Sequence, residues 1–258
     1  MLAECEILRF DRVNRVFESL KRFVVLEEMI DAYINGDFYA SFHCLPTQTR
    51  ELIVGHLLTE GIAEDVKNII DIEVSGKNIY IRLPEDDSSA FRRQRLITTF
   101  CGGNIQLHLS GKADRLRFNR VKFSAETVFK SIEVLNRFSS LYKVSGGAHS
   151  AALVNGECNI ISFAEDIGRH NAVDKVVGDA ALKGADITKL LLASTGRLTS
   201  EIVAKAIQVG IPVLVSLAAP TSLSLKIANN FGLTLIGFAR GRYFNIYTFP
   251  ERIKTAED

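Results

Sequence analysis

The sequence predicts an α/β protein in two parts: hairpins and one helix first, then an open, mostly parallel sheet with helices on both faces. From about residue 125 onward, apolar runs typical of strands alternate with segments of helical periodicity. Two runs, residues 190–193 and 211–217, are largely apolar, as are strands buried on both faces. Earlier, Asn35-Gly36 is a strong hairpin signal. We therefore expect two domains, residues 1–124 and 125–258.

The N-terminal part contains the signals of hairpins around a single helix. Residues 1 to about 45 alternate apolar and polar side chains around the Asn35-Gly36 turn. After Pro46-Thr47, an apolar stripe at helical spacing predicts a helix that ends at Gly61. The stripe consists of Leu52, Ile53, Leu57 and Leu58. Residues 69–74 and 78–83 predict a second hairpin, and the charged residues 86–95 are expected to be exposed.

The C-terminal part predicts an alternation of helices and strands. It begins with a long helix over residues 125–141, at whose start we place the domain boundary. The predicted strands are residues 151–154, 159–164, 190–193, 211–217, 233–238 and 244–248. The predicted helices between them are centred on residues 172–177, 201–209 and 223–229. Such alternation is typical of a largely parallel sheet.

Composition narrows the functional classes. With 31 basic and 30 acidic side chains among 258 residues, the net charge of +1 gives no reason to expect binding to nucleic acid or to a membrane surface. No window approaches ~18 uninterrupted apolar residues, and the N-terminus lacks an apolar signal core, so we expect a cytoplasmic protein. Its four cysteines (Cys5, Cys44, Cys101 and Cys158) are widely spaced, as expected of reduced thiols.

The densest group of polar side chains lies in residues 164–178 (AEDIGRHNAVDKVVG), between a predicted strand and a predicted helix. On a structural interpretation, Asp166 caps the helix, and Asp174 and Lys175 lie on its solvated face. That interpretation gives no role to the run RHN at residues 169–171. The carboxyl ends of strands are where open α/β sheets bind ligands. The segment is therefore either a capped helix or part of a functional site.

Three further polar loops adjoin predicted strands, at residues 145–149, 194–200 and 237–243. Hydroxyl groups and arginines at helix starts suit a phosphate group, although no Walker A loop is present. Because four such loops adjoin successive strands, we expect one shared anion pocket. Its predicted lining is His149, Arg169, His170, Arg197, Thr199, Ser200, Thr221, Ser222, Phe238, Ala239, Arg240, Gly241, Arg242 and Tyr243. A satisfied histidine and a solvated hairpin tip are the structural alternatives for the first and last of these loops.

Cys101 is the candidate reactive thiol. It lies in the segment TTFCGGN (residues 98–104), where a glycine pair follows it and no apolar run surrounds it. A thiolate nucleophile requires access, which such a loop provides. Cys5 and Cys158 have the sequence context of structural cysteines, and Cys44 is intermediate.

These segments together resemble the motifs of the formate dehydrogenase accessory sulfurtransferases, the FdhD family. The motifs, in order, are ELIVGHLLTEGI, TTFCGG, GGAHSAAL, EDIGRHNAVDKVVG, GR(x)3E(x)3KA, PTSL and GFARGRYFNIYT(x)PERI. The resemblance extends from about residue 23 to residue 253, nearly the whole chain. One departure is that better-known members carry a CxxC pair, whereas this chain reads Cys101-Gly102-Gly103-Asn104.

The resemblance implies a function and a fold. Family members accept sulfur from a cysteine desulfurase as a persulfide and pass it to the bis-molybdopterin guanine dinucleotide cofactor of formate dehydrogenase. By match to the family's loop, Cys101 carries the persulfide, and residues 238–243 hold part of the cofactor. Guanine nucleotides are expected to mimic that cofactor. The C-terminal domain is expected to have a cytidine deaminase-like α/β/α fold, and the protein to form a homodimer.

Two alternatives differ from this interpretation. A deaminase would share the fold, but its zinc motif requires a glutamate two residues after the histidine and a P-C-x-x-C sequence. Here Ala151 follows His149 at that spacing, and P-C-x-x-C is absent. A non-catalytic chaperone for the molybdenum cofactor would bind the cofactor without using Cys101.

Overall fold

The computed structural model describes residues 1–84, 109 and 113–255. The strands are β1 (Leu2–Asp11), β2 (Val16–Val25), β3 (Glu28–Ile34), β4 (Asp37–Cys44), β5 (Asp71–Ser75), β6 (Asn78–Arg82), β7 (Phe123–Ser124), β8 (His149–Val154), β9 (Ile160–Asp166), β10 (Leu191–Ser194), β11 (Val213–Ser216), β12 (Thr234–Arg240), β13 (Tyr243–Ile246) and β14 (Ile253–Lys254). The α-helices are α1 (Thr49–Thr59), α2 (Ala113–Arg117), α3 (Ala125–Phe138), α4 (Ser140–Ser145), α5 (Arg169–Leu182), α6 (Ser200–Gln208) and α7 (Ser222–Phe231). Cys101, its loop and the charged residues 86–95 lie outside the described residues.

The central sheet has six strands in the order β13-β12-β11-β10-β8-β9. The pairs β10–β11 and β11–β12 are parallel, but β8–β9, β8–β10 and β12–β13 are antiparallel. The prediction of a mostly parallel sheet was therefore wrong, and the sheet is mixed. The reason is local: β8 leads into β9, and β12 into β13, through loops too short for the crossover that parallel strands need.

The N-terminal part forms two smaller sheets. The four-stranded sheet β4-β3-β6-β5 contains both predicted hairpins, with Asn35-Gly36 at the turn between β3 and β4. Ahead of it, β1 and β2 form a ten-pair antiparallel hairpin that is largely exposed. The structure thus confirms the hairpins and helix that the N-terminal sequence predicts.

Helices cover both faces of the central sheet, as the sequence predicts. On one face, α3 packs its buried Val128, Ile132 and Leu135 against strands β8 to β12. The apolar stripes of α1, α5, α6 and α7 share a core on the other face with residues of the four-stranded sheet. The predicted helix over residues 125–141 ends earlier, at Phe138, because Ser139 leaves helical geometry and α4 begins at Ser140. No helix among the described residues is long and apolar enough to cross a membrane.

Helices α1 and α5 touch backbone to backbone. A Cβ atom added to Gly55 would lie 1.7 Å from the carbonyl oxygen of Asp174, and one added to Gly178 would lie 1.9 Å from that of Glu51. Only glycine allows such an approach in the interior of both helices. This contact joins α1 of the N-terminal part to the helix that carries the motif of residues 164–178. The boundary between residues 124 and 125 stays a prediction.

Candidate functional site

One edge of the central sheet brings together the loops that hold the predicted site residues. Because β8 runs opposite to β9 and β10, its first residue, His149, lies at the edge where β9, β10, β11 and β12 end. Backbone hydrogen bonds connect the loops: Leu198 N donates to Ala219 O and Phe238 N donates to Ala218 O, each at 3.1 Å. The shared edge that the sequence predicts is therefore present.

Six side chains on the loops of this edge are called the anion cluster here. They are His149, Arg169, His170, Thr195, Arg197 and Thr199. His149 Nδ1 lies 3.2 Å from Thr195 Oγ1, which also accepts a hydrogen bond from Ser150 N at 3.0 Å. A Cβ atom on Gly196 would lie 2.8 Å from Arg169 Cβ, so the glycine gives the arginine room beside the loop.

Three polar atoms of the anion cluster are buried without a hydrogen-bond partner in the part of the chain that the structure describes. They are Arg169 Nε, His170 Nε2 and Thr199 Oγ1. His170 Nε2 lies 3.1 Å from Glu201 Oε2 but makes no hydrogen bond there. Each unsatisfied buried group costs ~1–3 kcal/mol, so three in one place call for a partner. An anionic ligand with several acceptor oxygens supplies partners for all three.

The two threonines at the helix starts differ in how they use their hydroxyl groups. Thr221 caps α7, because its Oγ1 accepts a hydrogen bond from Ser224 N at 3.2 Å, and Ser224 Oγ accepts one from Thr221 N in return. Thr199, at the same position before α6, makes no side-chain cap. Nor does Gly168, before α5. The N-termini of α5 and α6 therefore keep unsatisfied N–H groups, which attract anions.

Both histidines of the cluster are held in the neutral form. Burial and then the charge of Arg169 lower the pKa of each ring below its ordinary value. Arg197 adds to the effect on His149, and Lys205 adds to that on His170, whereas Glu201 and Asp174 oppose the effect on His170. The part of this effect that comes from the arginines is one that also favours an incoming negative charge, whereas burial alone is not.

The remaining predicted site residues lie on two neighbouring segments. Ser200 and Ser222 are the first residues of α6 and α7. Phe238, Arg240, Gly241, Arg242 and Tyr243 are exposed around the β12–β13 turn, where the Arg240 guanidinium lies 5.5 Å from the centre of the Phe238 ring. Ala239 is buried in the core, so its side chain does not face solvent. β12 lies two strands from β10, which is ~10 Å, and it continues to Arg240, beyond the level at which β10 ends. The turn therefore lies further than ~10 Å from the end of β10.

Several polar side chains of residues 165–175 make structural contacts that the sequence does not predict. Asp166 does not cap α5. Its carboxylate accepts from Gly168 N at 2.9 Å and Leu45 N at 3.0 Å, and pairs with Lys175 Nζ at 2.6 Å. Asn171 Nδ2 donates to Asp166 Oδ1 and to His43 O. Asp166, Asn171 and Lys175, called the β4 clamp here, tie the end of β4 to α5.

Asp174 and Lys175 are buried, so the prediction that they lie on a solvated face was wrong. Lys175 is fully buried and also donates to Leu45 O at 2.9 Å. Asp174 binds Lys205 Nζ at 2.9 Å and accepts from Thr59 Oγ1 at 2.7 Å. Lys205 also pairs with Glu60 at 2.7 Å. The charge pattern predicted an exposed helix face because the partners of Asp174 come from α1 and α6, which are distant in the sequence.

Thr195 and Glu201 were not among the predicted site residues. Thr195 lies inside the predicted loop of residues 194–200, and its contact with His149 joins two segments that are far apart in the chain. Glu201 forms part of the GR(x)3E(x)3KA motif, and that spacing was the available signal. It places Arg197 at the loop, Glu201 beside His170 and Lys205 beside Asp174.

Among the described thiols, Cys44 is buried and Cys158 lies away from the anion cluster. Burial, followed by the charge of Asp166, raises the pKa of Cys44 to about 11, and its side chain has no exposed surface. Cys158 lies in the turn after β8, at the opposite edge of the sheet, and its Sγ donates to Thr127 Oγ1 at 3.5 Å. Cys5 is partly exposed on the β1–β2 hairpin, whose first and last residues, Leu2 and Val25, pack against a core cluster that includes Ala148. Cys44 lacks the access, and Cys158 the position, expected of a sulfur-transferring thiol at this edge.

Comparisons with known proteins agree on one family. The FdhD/NarQ family model matches residues 25–254. The chain is 34% identical to the sulfur carrier protein FdhD of Wolinella succinogenes, over 93% of this chain and 85% of that protein. It is 35% identical to the sulfur carrier protein FdhD of Saccharolobus solfataricus, over 96% and 98% of the two chains.

The fold also matches a solved structure, that of a Desulfotalea psychrophila protein assigned as a formate dehydrogenase accessory protein. The TM-score is 0.79, with 24% sequence identity and coverage of 98% and 99% of the two chains. At that identity the match shows the fold alone. The family model and the two curated relatives carry the assignment: the chain belongs to the FdhD/NarQ family.

Proposed function

We propose that this chain is a sulfur carrier for the maturation of formate dehydrogenase. The observation that carries the proposal is the family match over residues 25–254, with relatives named sulfur carrier proteins at 34–35% identity. In the proposed reaction, a cysteine desulfurase supplies sulfur, Cys101 holds it as a persulfide, and the bis-molybdopterin guanine dinucleotide cofactor receives it before or during its insertion into formate dehydrogenase.

The first transfer is a thiol–persulfide exchange. The Cys101 thiolate attacks the outer sulfur of the desulfurase persulfide, the sulfur–sulfur bond of the donor breaks, and the donor cysteine leaves as a thiolate. The attacking group must be a thiolate with access to a partner protein. Among the thiols that the structure describes, Cys44 is excluded from this role by its burial and its raised pKa. This supports Cys101 as the carrier.

The anion cluster supports binding of the cofactor as substrate. Arg169 and Arg197 are suited to bind its diphosphate groups, and Thr199 and the N–H groups at the starts of α5 and α6 add donors. The exposed ring of Phe238 and the arginines of the β12–β13 turn offer a platform on which a guanine base stacks. The proposed site thus extends from His149 to Tyr243 along one edge, and guanine nucleotides should bind within it.

The proposal includes a cytidine deaminase-like C-terminal domain and a homodimer. In support of the dimer, the β1–β2 hairpin exposes Leu8, Phe10 and Phe17 to 67%, 52% and 66%. A two-stranded hairpin is only marginally stable by itself, and exposed apolar patches mark protein interfaces. Light scattering should therefore report a dimer, and the double substitution Phe10→Ser/Phe17→Ser should shift it toward monomer. A monomeric wild-type protein would contradict this part of the proposal.

The sulfur-carrier role is tested by restoring formate dehydrogenase activity in cells that lack the endogenous carrier. Cys101→Ser should abolish restoration, whereas Cys5→Ser and Cys158→Ser, which change the other partly exposed thiols, should retain it. Full restoration by Cys101→Ser would contradict the carrier role. It would favour a chaperone that binds the cofactor without handling sulfur.

A further inference from the structure

Two histidines flank Arg169 in the anion cluster. His149 opens β8, with Nδ1 3.2 Å from Thr195 Oγ1, and His170 follows Arg169 in the first turn of α5. Among the described residues, Nε2 of His170 is buried without a hydrogen-bond partner, although Glu201 Oε2 is 3.1 Å away. Arg169 is the charged neighbour that the two rings share.

Burial, and then the positive charges nearby, lower the pKa of both rings in the free protein. The groups that act on His149 are Arg169 and Arg197. Those that act on His170 are Arg169 and Asp174 on its own helix, and Glu201 and Lys205 on α6. After burial, Arg169 is the largest cause of the lowered pKa of either ring. Both histidines thus respond to the same positive charge.

We propose that His149 and His170 take up protons when an anion binds at Arg169, and that each ring then donates a hydrogen bond to the anion. The inference rests on the proposed function, since it takes the diphosphate group of a guanine nucleotide as that anion. The protons come from solvent, and no covalent bond changes. The bound negative charge offsets the repulsion from Arg169, and it replaces the water that burial removed from the rings.

A binding step that takes up protons becomes tighter as pH falls. Affinity should rise by up to about tenfold per pH unit for each proton taken up, in the range between the free and bound pKa values of the rings. Proton uptake also makes the site selective, because a doubly charged diphosphate raises the pKa of a nearby imidazole more than a singly charged ligand does. The two histidines would then be specificity-determining residues of the nucleotide site.

Nuclear magnetic resonance tests the inference directly. The titration of each histidine ring is followed without and with saturating GDP. We expect GDP to move the midpoints of His149 and His170 upward and to leave that of His43 unchanged, since His43 is exposed beside Glu27 in the N-terminal part. If GDP binds and neither midpoint moves, the inference is wrong. If only one midpoint moves, the two-histidine form is wrong.

Calorimetry separates this inference from the proposed nucleotide site. GDP binding at pH 7 is measured in buffers of different ionisation enthalpy, which gives the net proton uptake. The double variant His149→Gln/His170→Gln keeps polar side chains that do not titrate, and GDP's own phosphate titrates equally in both proteins. We expect the variant to lose the uptake that the wild type shows. Equal uptake in both proteins overturns the inference, whereas an absence of GDP binding overturns the nucleotide site itself.

Discussion

The β4 clamp shares a strand–helix segment with Arg169 and His170 of the anion cluster, yet the two groups differ in how fully their polar atoms are satisfied. Asp166, Asn171 and Lys175 bind one another and the backbone of residues 43–45 through hydrogen bonds of 2.6–3.0 Å. In the anion cluster, polar atoms of Arg169, His170 and Thr199 are buried without a hydrogen bond among the described residues. The comparison teaches that a dense polar motif can hold two functions, and that unsatisfied atoms mark the residues that await a ligand.

The largest expected effect is on stability, from breaking the clamp. Lys175→Met leaves Asp166 buried without its cation, which should cost ~3–5 kcal/mol in the free energy of unfolding. Urea unfolding measures this cost. GDP affinity of the folded variant should stay close to that of the wild type.

Lys130→Met is the matched control. Lys130 is half exposed and pairs with Glu126 at 3.7 Å on α3, so its loss should change stability by no more than ~0.5 kcal/mol. If the two variants lost equal stability, the clamp would not be the structural element described here.

The next largest effect is on GDP binding, from substituting arginines of the anion cluster and of the β12–β13 turn. Arg197→Ala, Arg240→Ala and Arg242→Ala each remove an exposed guanidinium, and each should weaken GDP binding by ~1.5–3 kcal/mol per charge-assisted bond lost. Their unfolding free energies should change little. Calorimetry at low salt measures the loss, with Arg22→Ala on the distant hairpin as control. Unchanged affinity in all three variants would place the nucleotide elsewhere.

A smaller effect comes from Asp174, the buried partner of Lys205. Burial raises its pKa, but the charge of Lys205 and the contacts with His56 and Thr59 together outweigh burial and hold the pKa at about 2, below the ordinary 3.8. A depressed carboxyl pKa stabilises the folded state above the unfolded pKa, and that stability is lost as pH falls through the folded pKa. The contribution is ~2 kcal/mol by linkage. Urea unfolding between pH 5 and 2 should show this decline, and Asp174→Asn should lack it. A parallel decline in the variant would assign it to other groups.

The smallest effect is that of salt. An anion held mainly by arginines should bind more weakly as ionic strength rises, because ions screen exposed charges. The decline should be steeper for the wild type than for Arg240→Ala/Arg242→Ala, since those residues are exposed cations of the site. Equal slopes would indicate that the turn does not contact the nucleotide charge.

The local features of the fold could be predicted from sequence, but its pairings could not. Asn35-Gly36 predicts a hairpin turn and the apolar stripe of residues 52–58 predicts a helix, each from neighbouring residues alone. Both predictions were confirmed. Strand direction depends on which strands become neighbours, which the chain order does not state. Likewise, the local sequence pattern predicted that Asp174 lies on a solvated face. The partner that allows its burial, Lys205, lies 31 residues away and is not part of that pattern. The strand-end loops were found because topology places strand termini together, whereas Thr195 needed the fold to show its contact with His149.

The most direct test of the account is the fate of sulfur on Cys101. The protein is loaded with a cysteine desulfurase and cysteine, and its intact mass and peptides are then analysed. Because Asn104 replaces the second cysteine of the loop, and Cys44 is buried with a raised pKa, we expect one added sulfur atom on Cys101 that persists until the cofactor is supplied. A protein that gains no sulfur on Cys101, or that converts rapidly to an intramolecular disulfide, would contradict the account.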